Sequence, residues 1–212
     1  SGCVGAYSRA VHDASSSLCS LLREERKRNY DALSEDERLQ VSQQFIQACA
    51  SDDFLEIVKD MVVLRKCIDV DGFYVGQDGQ ETCALHTAAF NGACRIVEFL
   101  VGGIDEESPD QDGGLANVNI LDANNWSAMH FCAGANSVEA VGILANHGAR
   151  LALEANNGYT PFHWAQRLSN KEVAEELQRL GADQRFLEIG WLRNQQPLSA
   201  IANRFFAMMP SH

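Results

Sequence analysis

Histidine and cysteine side chains lie close together at two places in this sequence, and these residue types form thiol nucleophiles and zinc sites. Cys83 precedes His86 by three residues, and Cys132 follows His130 by two. A histidine beside a cysteine can activate the thiol, but a zinc site needs a further pair of ligands, and none accompanies these histidines or His163. The pattern therefore suggests both chemistries and supplies a complete set of residues for neither.

The three histidines recur together with their neighbours, which indicates an internal repeat. His130 and His163 are 33 residues apart, and His86 and His130 are 44 apart, which is 33 plus an insertion of 11. The aligned segments are Thr82-Cys83-Ala84-Leu85-His86-Thr87-Ala88-Ala89, Trp126-Ser127-Ala128-Met129-His130-Phe131-Cys132-Ala133 and Tyr159-Thr160-Pro161-Phe162-His163-Trp164-Ala165. A recurring supersecondary unit determines the architecture before local propensity does.

With this period and these segments, the units resemble the ankyrin repeat. Apolar residues follow the three histidines at equal offsets: Ile96-Val97 and Leu100, Ala140-Val141 and Leu144, and Val173-Ala174 and Leu177. The last two units end on Gly148-Ala149 and Gly181-Ala182. A weaker unit upstream has Gln47 in place of the histidine and is identified as an N-terminal capping repeat from Ile46, Cys49-Ala50, Asp53, Ile57-Val58 and Met61-Val62.

The resemblance implies an all-α ankyrin-repeat solenoid, in which helix-turn-helix units are joined by β-hairpin-like fingers, with helical N- and C-terminal caps. It divides the chain into an N-terminal flexible or helical extension, a capping repeat, three ankyrin repeats and a C-terminal helical cap or partner-binding tail. These segments are 1–33, 34–76, 77–116 with an acidic insertion at 105–114, 117–150, 151–183 and 184–212. Fingers are expected near residues 122–125 and 155–158, where Asn and Gly tolerate positive φ.

Several finger residues depart from the choice that is usual in the family. Glu81 and Asn125 replace a glycine, Cys83 and Ser127 replace a threonine, and Ala155 replaces an aspartate. We expect these replacements to affect the rigidity of single fingers and to leave the fold unchanged.

Local patterns near the N-terminus predict helices. Ser34 and Glu37 have the spacing of a capping box, so a helix should run from there to about Ala50. The basic run from Arg23 to Arg28 is interleaved with glutamates, which is typical of the solvated face of a helix.

Composition and charge limit the classes of partner. The formal net charge of -12 disfavours nucleic acid and anionic membranes, which attract Lys and Arg, and it favours a basic partner. The sequence contains no apolar run of the ~18 residues that a membrane helix needs. Its seven cysteines form no C-x-x-C pair, which indicates free thiols in a reducing compartment. We therefore expect a monomer in the cytoplasm, with the nucleus as the alternative.

A catalytic role is not favoured. No phosphate-binding, dinucleotide-binding or H-E-x-x-H motif occurs, so the sequence predicts no enzyme, cofactor or metal. In the ankyrin family the equivalent histidine makes hydrogen bonds within and between fingers, so the three histidines are interpreted as structural. Cys49, Cys83 and Cys132 stand where the repeat needs a small buried residue, and we expect them to pack in the core.

Recognition is the better supported activity, because stacked repeats present an extended concave surface. Candidate partner-binding residues are the aromatic side chains near the fingers and histidines and the amides of the finger turns: Trp126, Tyr159, Phe131, Trp164, Phe90, Asn124, Asn156 and Asn157. For Phe131 and Trp164 the alternative is packing within the array. The insertion contributes an acidic loop that is either solvated or attracts a basic partner: Asp105, Glu106, Glu107, Asp110 and Asp112.

The leading hypothesis is a non-enzymatic protein-interaction module, acting as a scaffold or adaptor, that binds a basic peptide or protein on its concave surface. A second is the substrate receptor of a ubiquitin ligase, because Leu198, Ala202 and Phe206 fit the loose spacing of an elongin-binding box. A third is a methyl-lysine reader, in which Trp126, Tyr159 and Trp164 form an aromatic cage.

Overall fold

The computed structural model describes residue 21 and residues 24–66, 68–75, 81–102 and 115–182. Residues 1–20, the acidic insertion at 105–114 and the tail at 184–212 lie outside this part of the chain, so the expectations for them stay predictions. Within the described ranges, no helix is both long enough and apolar enough to cross a membrane.

The first described helix pair begins with the predicted helix, and a shorter helix precedes it. Residues 24–31 form α1, and α2 spans Glu35–Ala48, two residues short of the predicted end. The capping box is confirmed: the Glu37 amide donates to Ser34 Oγ over 3.4 Å, and the Ser34 amide donates to Glu37 Oε2 over 3.0 Å. Together these bonds satisfy amides that the first turn of a helix leaves without partners.

The second helix of this unit widens near its end. A 3-10 turn at Asp52–Phe54 leads into α3 (Leu55–Lys59), and one π turn follows at Asp60–Leu64. The Arg65 amide closes the π turn by donating to Asp60 O over 2.9 Å. Lys66 then adopts a left-handed φ of 48°, which ends the helix. A helix that ends here has no following turn whose amides could donate to the carbonyl groups of its last turn.

Arg26 of α1 occupies this helix end, which corrects the interpretation of the basic run as a solvated face. Its side chain is 3% exposed, and its Nε donates to Val62 O over 3.1 Å. Asn29 Nδ2 donates to Lys66 O over 3.0 Å, and Lys66 Nζ lies 3.1 Å from Glu25 Oε2. A cation is favourable at a helix C-terminus because the last carbonyl groups carry partial negative charge.

Three further helix pairs follow in a common pattern. They are α4 (Ala84–Asn91) with α5 (Cys94–Gly102), α6 (Ala128–Ala135) with α7 (Val138–Asn146), and α8 (Pro161–Arg167) with α9 (Lys171–Arg179). Along the stack α4 packs on α6 and α6 on α8, while α5 packs on α7 and α7 on α9. The second helices of the last two pairs are followed by left-handed glycines, Gly148 with φ 80° and Gly181 with φ 98°.

We number the units from 1 (α2 and α3) to 4 (α8 and α9). Each finger takes the number of the unit that follows it, which gives finger 2 (residues 68–83), finger 3 (117–127) and finger 4 (150–160). In finger 2, β1 (Tyr74–Val75) pairs antiparallel with β2 (Glu81–Thr82), with Tyr74 opposite Thr82. In finger 3 the pairing is a single bridge between Leu121 and Ser127. Finger 2 is therefore the longer hairpin.

The units share one apolar core, and polar side chains connect neighbouring units at the helix ends. The core has Trp164, Phe45, Ile68, Leu85, Ile96, Leu100, Met129, Leu144 and Leu177 among its largest fully buried side chains. Asp52 of unit 1 accepts from the Arg95 and Ile96 amides of α5 over 3.1 and 3.0 Å. Asn170 Nδ2 of unit 4 donates to Ala133 O of α6 over 2.7 Å. Each contact satisfies backbone groups that a helix end leaves open.

Candidate functional site

The histidines bind neighbouring fingers, as their structural interpretation predicts. His130 Nδ1 accepts from the Ser127 amide over 3.2 Å and from Ser127 Oγ over 2.9 Å, which leaves the ring hydrogen on Nε2. His130 Nε2 then donates to Tyr159 O in finger 4 over 3.0 Å. His86 Nε2 donates in the same way to Ile120 O in finger 3 over 3.2 Å. His86 and His130 therefore each join their own unit to the next finger.

The third histidine, His163, repeats only the hydrogen bonds within its own unit. His163 Nδ1 accepts from the Thr160 amide over 3.2 Å and from Thr160 Oγ1 over 2.9 Å. The side chain is 6% exposed, and its Nε2 has no hydrogen-bond partner among the described residues. Unit 4 is the last one described, so the finger that would follow it is outside the described chain.

The buried histidines are poor metal ligands in this geometry, because each ring nitrogen that has a partner is committed to a hydrogen bond. Burial lowers the pKa of His86 to about 4 and that of His130 to about 4, so both rings are neutral at pH 7. Within the described ranges, no three His, Cys, Asp or Glu side chains are grouped as a metal site would require.

The cysteines beside these histidines are buried thiols. Cys49, Cys83 and Cys132 are all 0% exposed, which confirms their predicted packing in the core. Burial raises the pKa of the Cys83 thiol to about 12 and also raises the pKa values of Cys49 and Cys132. Since the thiolate is the nucleophilic form, these side chains are unreactive at neutral pH.

The finger turns have the predicted chemistry with one exchange of roles. In finger 3, Asp122 Oδ1 accepts from the Asn124 and Trp126 amides, each over 2.8 Å, and Asn125 adopts φ 59°. In finger 4 an alanine replaces the aspartate, and Asn157 Oδ1 instead accepts from the Tyr159 amide over 3.1 Å. The departures at Asn125 and Ala155 therefore leave both turns closed.

Adjacent finger tips are joined directly to each other. The Asn156 amide donates to Asn124 O over 2.9 Å, and Asn156 Nδ2 donates to Ala123 O over 3.2 Å. Asn125 Nδ2 donates to Asn156 Oδ1 over 2.8 Å. The polar groups of Asn156 are thus used to align fingers 3 and 4, and they position the aromatic residues that follow.

Aromatic rings form a continuous row beside these fingers, which we call the aromatic row: Phe90, Phe131, Trp126, Trp164 and Tyr159. Successive ring centroids are 6.5, 5.6, 4.9 and 6.4 Å apart, and most pairs meet edge to face. Such contacts stabilise aromatic pairs by about 0.5–1.5 kcal/mol beyond their buried area. The row spans units 2 to 4 and brings together all five predicted aromatic residues.

Comparison with known families agrees with this geometry. Residues 111–186 match the family model described as ankyrin repeats (3 copies). Residues 111–186 therefore carry ankyrin repeats. The match covers about a third of the chain, and the same finger and histidine geometry extends upstream of it into unit 2. Ankyrin repeats are protein-interaction modules and are typically not enzymes.

Exposure divides the aromatic row of the ankyrin repeats into two layers. Phe131 is 4% exposed and Trp164 is 1% exposed, so both fit the packing alternative. Phe90, Trp126 and Tyr159 are half-buried. The outer three rings therefore rest on the inner two and form the accessible surface.

The structure adds three residues to this surface that the sequence did not single out. Phe73 is 38% exposed in finger 2 and Leu121 is 37% exposed in finger 3. Arg167 places its guanidinium 5.2 Å from the centroid of the Tyr159 ring and donates from Nη1 to the Tyr159 hydroxyl. Phe73 aligns with Leu121 only when the greater length of finger 2 is taken into account. The sequence alignment did not include that length and therefore did not identify Phe73.

In unit 2 one buried histidine nitrogen lacks a hydrogen bond that a substitution should supply. His86 Nδ1 is buried and has no hydrogen-bond partner in the described chain, because Cys83 stands where Ser127 and Thr160 supply a hydroxyl. We expect Cys83→Thr to raise the free energy of unfolding by about 1 kcal/mol, the net value of one hydrogen bond. Urea denaturation at pH 7.5 measures the change.

Cys132→Thr is the matched control, because it makes the same exchange within a helix at an equally buried site. It should lower the free energy of unfolding by about 1–3 kcal/mol, since it buries a hydroxyl in place of a thiol. Equal losses in the two variants would contradict the assignment of the defect to His86.

Proposed function

We propose that the fingers and first helices of this ankyrin array form a non-enzymatic binding surface for a basic peptide or protein. The observation that carries the proposal is the outer layer of the aromatic row, where Phe90, Trp126 and Tyr159 are partly exposed on adjacent repeats. Aromatic side chains on a rigid support are typical anchors of protein interfaces, because they bury a large area at a small cost in conformational entropy.

The charge of the fingers favours a basic partner. Their described residues include five carboxylates and one guanidinium, namely Asp69, Asp71, Glu81, Asp122 and Glu154 against Arg150. The buried histidines are neutral at pH 7 and add no positive charge. Carboxylates around an aromatic surface attract basic partners and repel acidic ones, which gives specificity and faster association.

A charge reversal tests this surface without disturbing its packing. Alanine at Trp126 or Tyr159 would also remove contacts with Trp164, whereas Glu81 and Glu154 are exposed finger residues. We expect the double variant Glu81→Lys and Glu154→Lys to bind its partner at least tenfold more weakly, a change of about 1.4 kcal/mol or more. Affinity capture from a native lysate identifies the partner, and titration of that partner measures the change.

The matched control places the same two changes on the second helices, at exposed Glu139 and Glu175. Because its net charge is identical, it separates the finger surface from the overall field of the protein. Capture of the same proteins at the same affinity by both double variants would contradict the proposal.

The two alternatives receive less support. A methyl-lysine cage needs open space between its rings, but the Trp126 and Trp164 centroids are 4.9 Å apart, and Arg167 is already stacked on Tyr159. The elongin-box hypothesis depends on residues 198–206, which lie outside the described residues. Neither alternative has a specific observation in its favour.

We extend the proposal to the cellular compartment and the oligomeric state of the protein. Cys49, Cys83, Cys94 and Cys132 are free thiols in the described chain, which fits a reducing compartment such as the cytoplasm or, alternatively, the nucleus. A net charge of -12 opposes self-association and fits a monomer.

A further inference from the structure

One position on the first helices carries very different side chains in successive units. The fourth residue after each aligned histidine is Phe90 in α4, Gly134 in α6 and Arg167 in α8. Since α4 packs on α6 and α6 packs on α8, Gly134 lies between two large side chains along the stack. We call the space that Gly134 leaves between Phe90 and Arg167 the Gly134 gap.

The backbone of α6 does not require a glycine at this position. The φ of Gly134 is not in the positive range, and Asn136, with φ 57°, is the left-handed residue that ends the helix. Asn170 Nδ2 donates to the carbonyl oxygen of Gly134 over 3.0 Å, a group that any residue supplies. A glycine within a helix is also less favourable than alanine, because it loses more conformational freedom on folding. Gly134 therefore contributes an open space and no backbone geometry.

Aromatic rings border the Gly134 gap on one side and a cation borders it on the other. Phe131 lies one helical turn before Gly134 on the same face of α6 and is 4% exposed. The Phe90 ring stands at 90° to the Phe131 ring, with the two centroids 6.5 Å apart. The Arg167 guanidinium lies over Tyr159, 5.2 Å from the ring centroid. The gap is therefore mainly apolar and has one positively charged edge.

These neighbours favour an apolar side chain in the gap over a charged one. Arg167 repels a lysine or arginine side chain there, and the carboxylates of Asp122 and Glu154 in the adjacent fingers disfavour an acidic one. An apolar side chain that packs against Phe90 and Phe131 is removed from water, which favours its binding. The same finger carboxylates attract basic residues on either side of that apolar residue.

We propose that the Gly134 gap binds one large apolar side chain of a basic partner segment, whose flanking residues meet the carboxylates of the fingers. The inference rests on the proposed function, because it assigns an anchor position within the same surface. A side chain packed into a pocket near the centre of an interface is a usual form of binding hot spot.

Filling the gap with a side chain of the protein itself tests the proposal. The probes are short arginine-rich peptides that differ only in the central residue, which is leucine, alanine or glutamate. The unchanged protein should bind the leucine peptide about tenfold more tightly than the alanine peptide, and the glutamate peptide most weakly. Gly134→Leu should weaken binding of the leucine peptide about tenfold and abolish the preference for leucine. Fluorescence anisotropy at low ionic strength measures the affinities.

Gly142→Leu is the matched control, because Gly142 is a helical glycine in α7 of the same unit. A Cβ atom at Gly142 would have no atom within 4 Å, so this position has space for a side chain. The control should leave all three affinities unchanged. Both leucine variants should unfold at or above the temperature of the unchanged protein, since leucine favours a helix more than glycine does. Gly134→Ala adds fewer atoms and should weaken binding of the leucine peptide by a smaller factor.

Unchanged binding of the leucine peptide by Gly134→Leu would overturn the proposal. Unfolding of Gly134→Ala and Gly134→Leu at a lower temperature than the unchanged protein would also overturn it, because the space would then be filled from within the chain.

The double variant Glu81→Lys and Glu154→Lys distinguishes this inference from the proposed function. It should weaken binding of the leucine and alanine peptides equally and keep the preference for leucine. If it weakens binding while Gly134→Leu does not, only the role of the Gly134 gap is rejected. If it has no effect, or if none of the peptides binds to the unchanged protein, the basic partner of the proposed function is rejected together with the gap.

Discussion

The free energy of unfolding is expected to fall steeply as the pH decreases from 6.5 to 4. Burial holds the pKa values of His86 and His130 at about 4 in the folded protein, whereas an unfolded histidine has a pKa of about 6.5. Above pH 6.5 both states are neutral and stability does not depend on these groups. Below it the unfolded state binds protons first, so each histidine removes about 3 kcal/mol by pH 4.

Urea denaturation between pH 7.5 and 4.5 measures this loss. Around pH 5 the unfolded state should bind nearly two more protons than the folded state. The free energy of unfolding should then change by up to about 2.7 kcal/mol per pH unit. Burial also lowers the pKa of His163, which acts in the same direction. Carboxylates titrate mainly below pH 5, so the range from 6.5 to 5 isolates the histidines.

A variant that removes one titrating group provides the control. His130→Asn should lower the stability at pH 7, because its bonds to Ser127 and Tyr159 are lost, but it should reduce the slope by one proton. A stability that stays constant between pH 7 and 5 would show that the buried rings accept protons without unfolding.

Trp164→Ala is expected to cost about 3–5 kcal/mol of folding stability, the range for deleting a large buried aromatic side chain. Trp164 is 1% exposed, and its ring contacts both Trp126 and Tyr159. Because repeat arrays are stabilised by contacts between nearest neighbours, the loss should be concentrated in units 3 and 4. Urea denaturation gives the total change, and hydrogen exchange gives its distribution along the chain.

Trp164→Phe is the corresponding conservative change. It keeps a ring in the aromatic row and should lose clearly less stability than the alanine variant. A loss below about 1 kcal/mol for Trp164→Ala would mean that the site collapses around the deletion, and it would remove the basis for treating Trp164 as the support of the outer rings.

Much of the fold of units 2 to 4 follows from the sequence, because a fixed period assigns equal positions to equal roles. The aligned histidines and Asn125, which adopts a positive φ in the turn of finger 3, are local signals, and they have the predicted roles. In finger 4 the side chain of Asn157 accepts the hydrogen bond that closes the turn, whereas in finger 3 an aspartate does so. This difference was not predictable, because both aspartate and asparagine can close such a turn.

Contacts between segments far apart in sequence were the ones that local patterns could not supply. Arg26 lies in a charged run that looks solvated, and it is buried because its side chain donates to the carbonyl group of Val62, 36 residues later in the last turn of a helix. The π turn at Asp60–Leu64 also has no clear local signal.

The sequence predicted which aromatic residues lie near the candidate surface, but it did not predict how deeply each side chain is buried. Phe131 and Trp164 align with Thr87, which is half-buried, so the alignment did not indicate whether a ring at this position faces solvent. They are covered because Trp126 and Tyr159, at the ends of the fingers, extend over them. Burial of this kind depends on the size of neighbouring side chains across units.

The hydrogen bonds of the histidines give the ankyrin array a chemical polarity, like that of a filament with unlike ends. Each donor belongs to one unit and each acceptor to the next finger, as from His86 to Ile120 O and from His130 to Tyr159 O. A repeat grafted after Ala182 would meet a donor already oriented in His163. One grafted in place of α1 would instead meet the exposed side chains of Phe54 and Ile57, so the two ends need different designs when the array is lengthened.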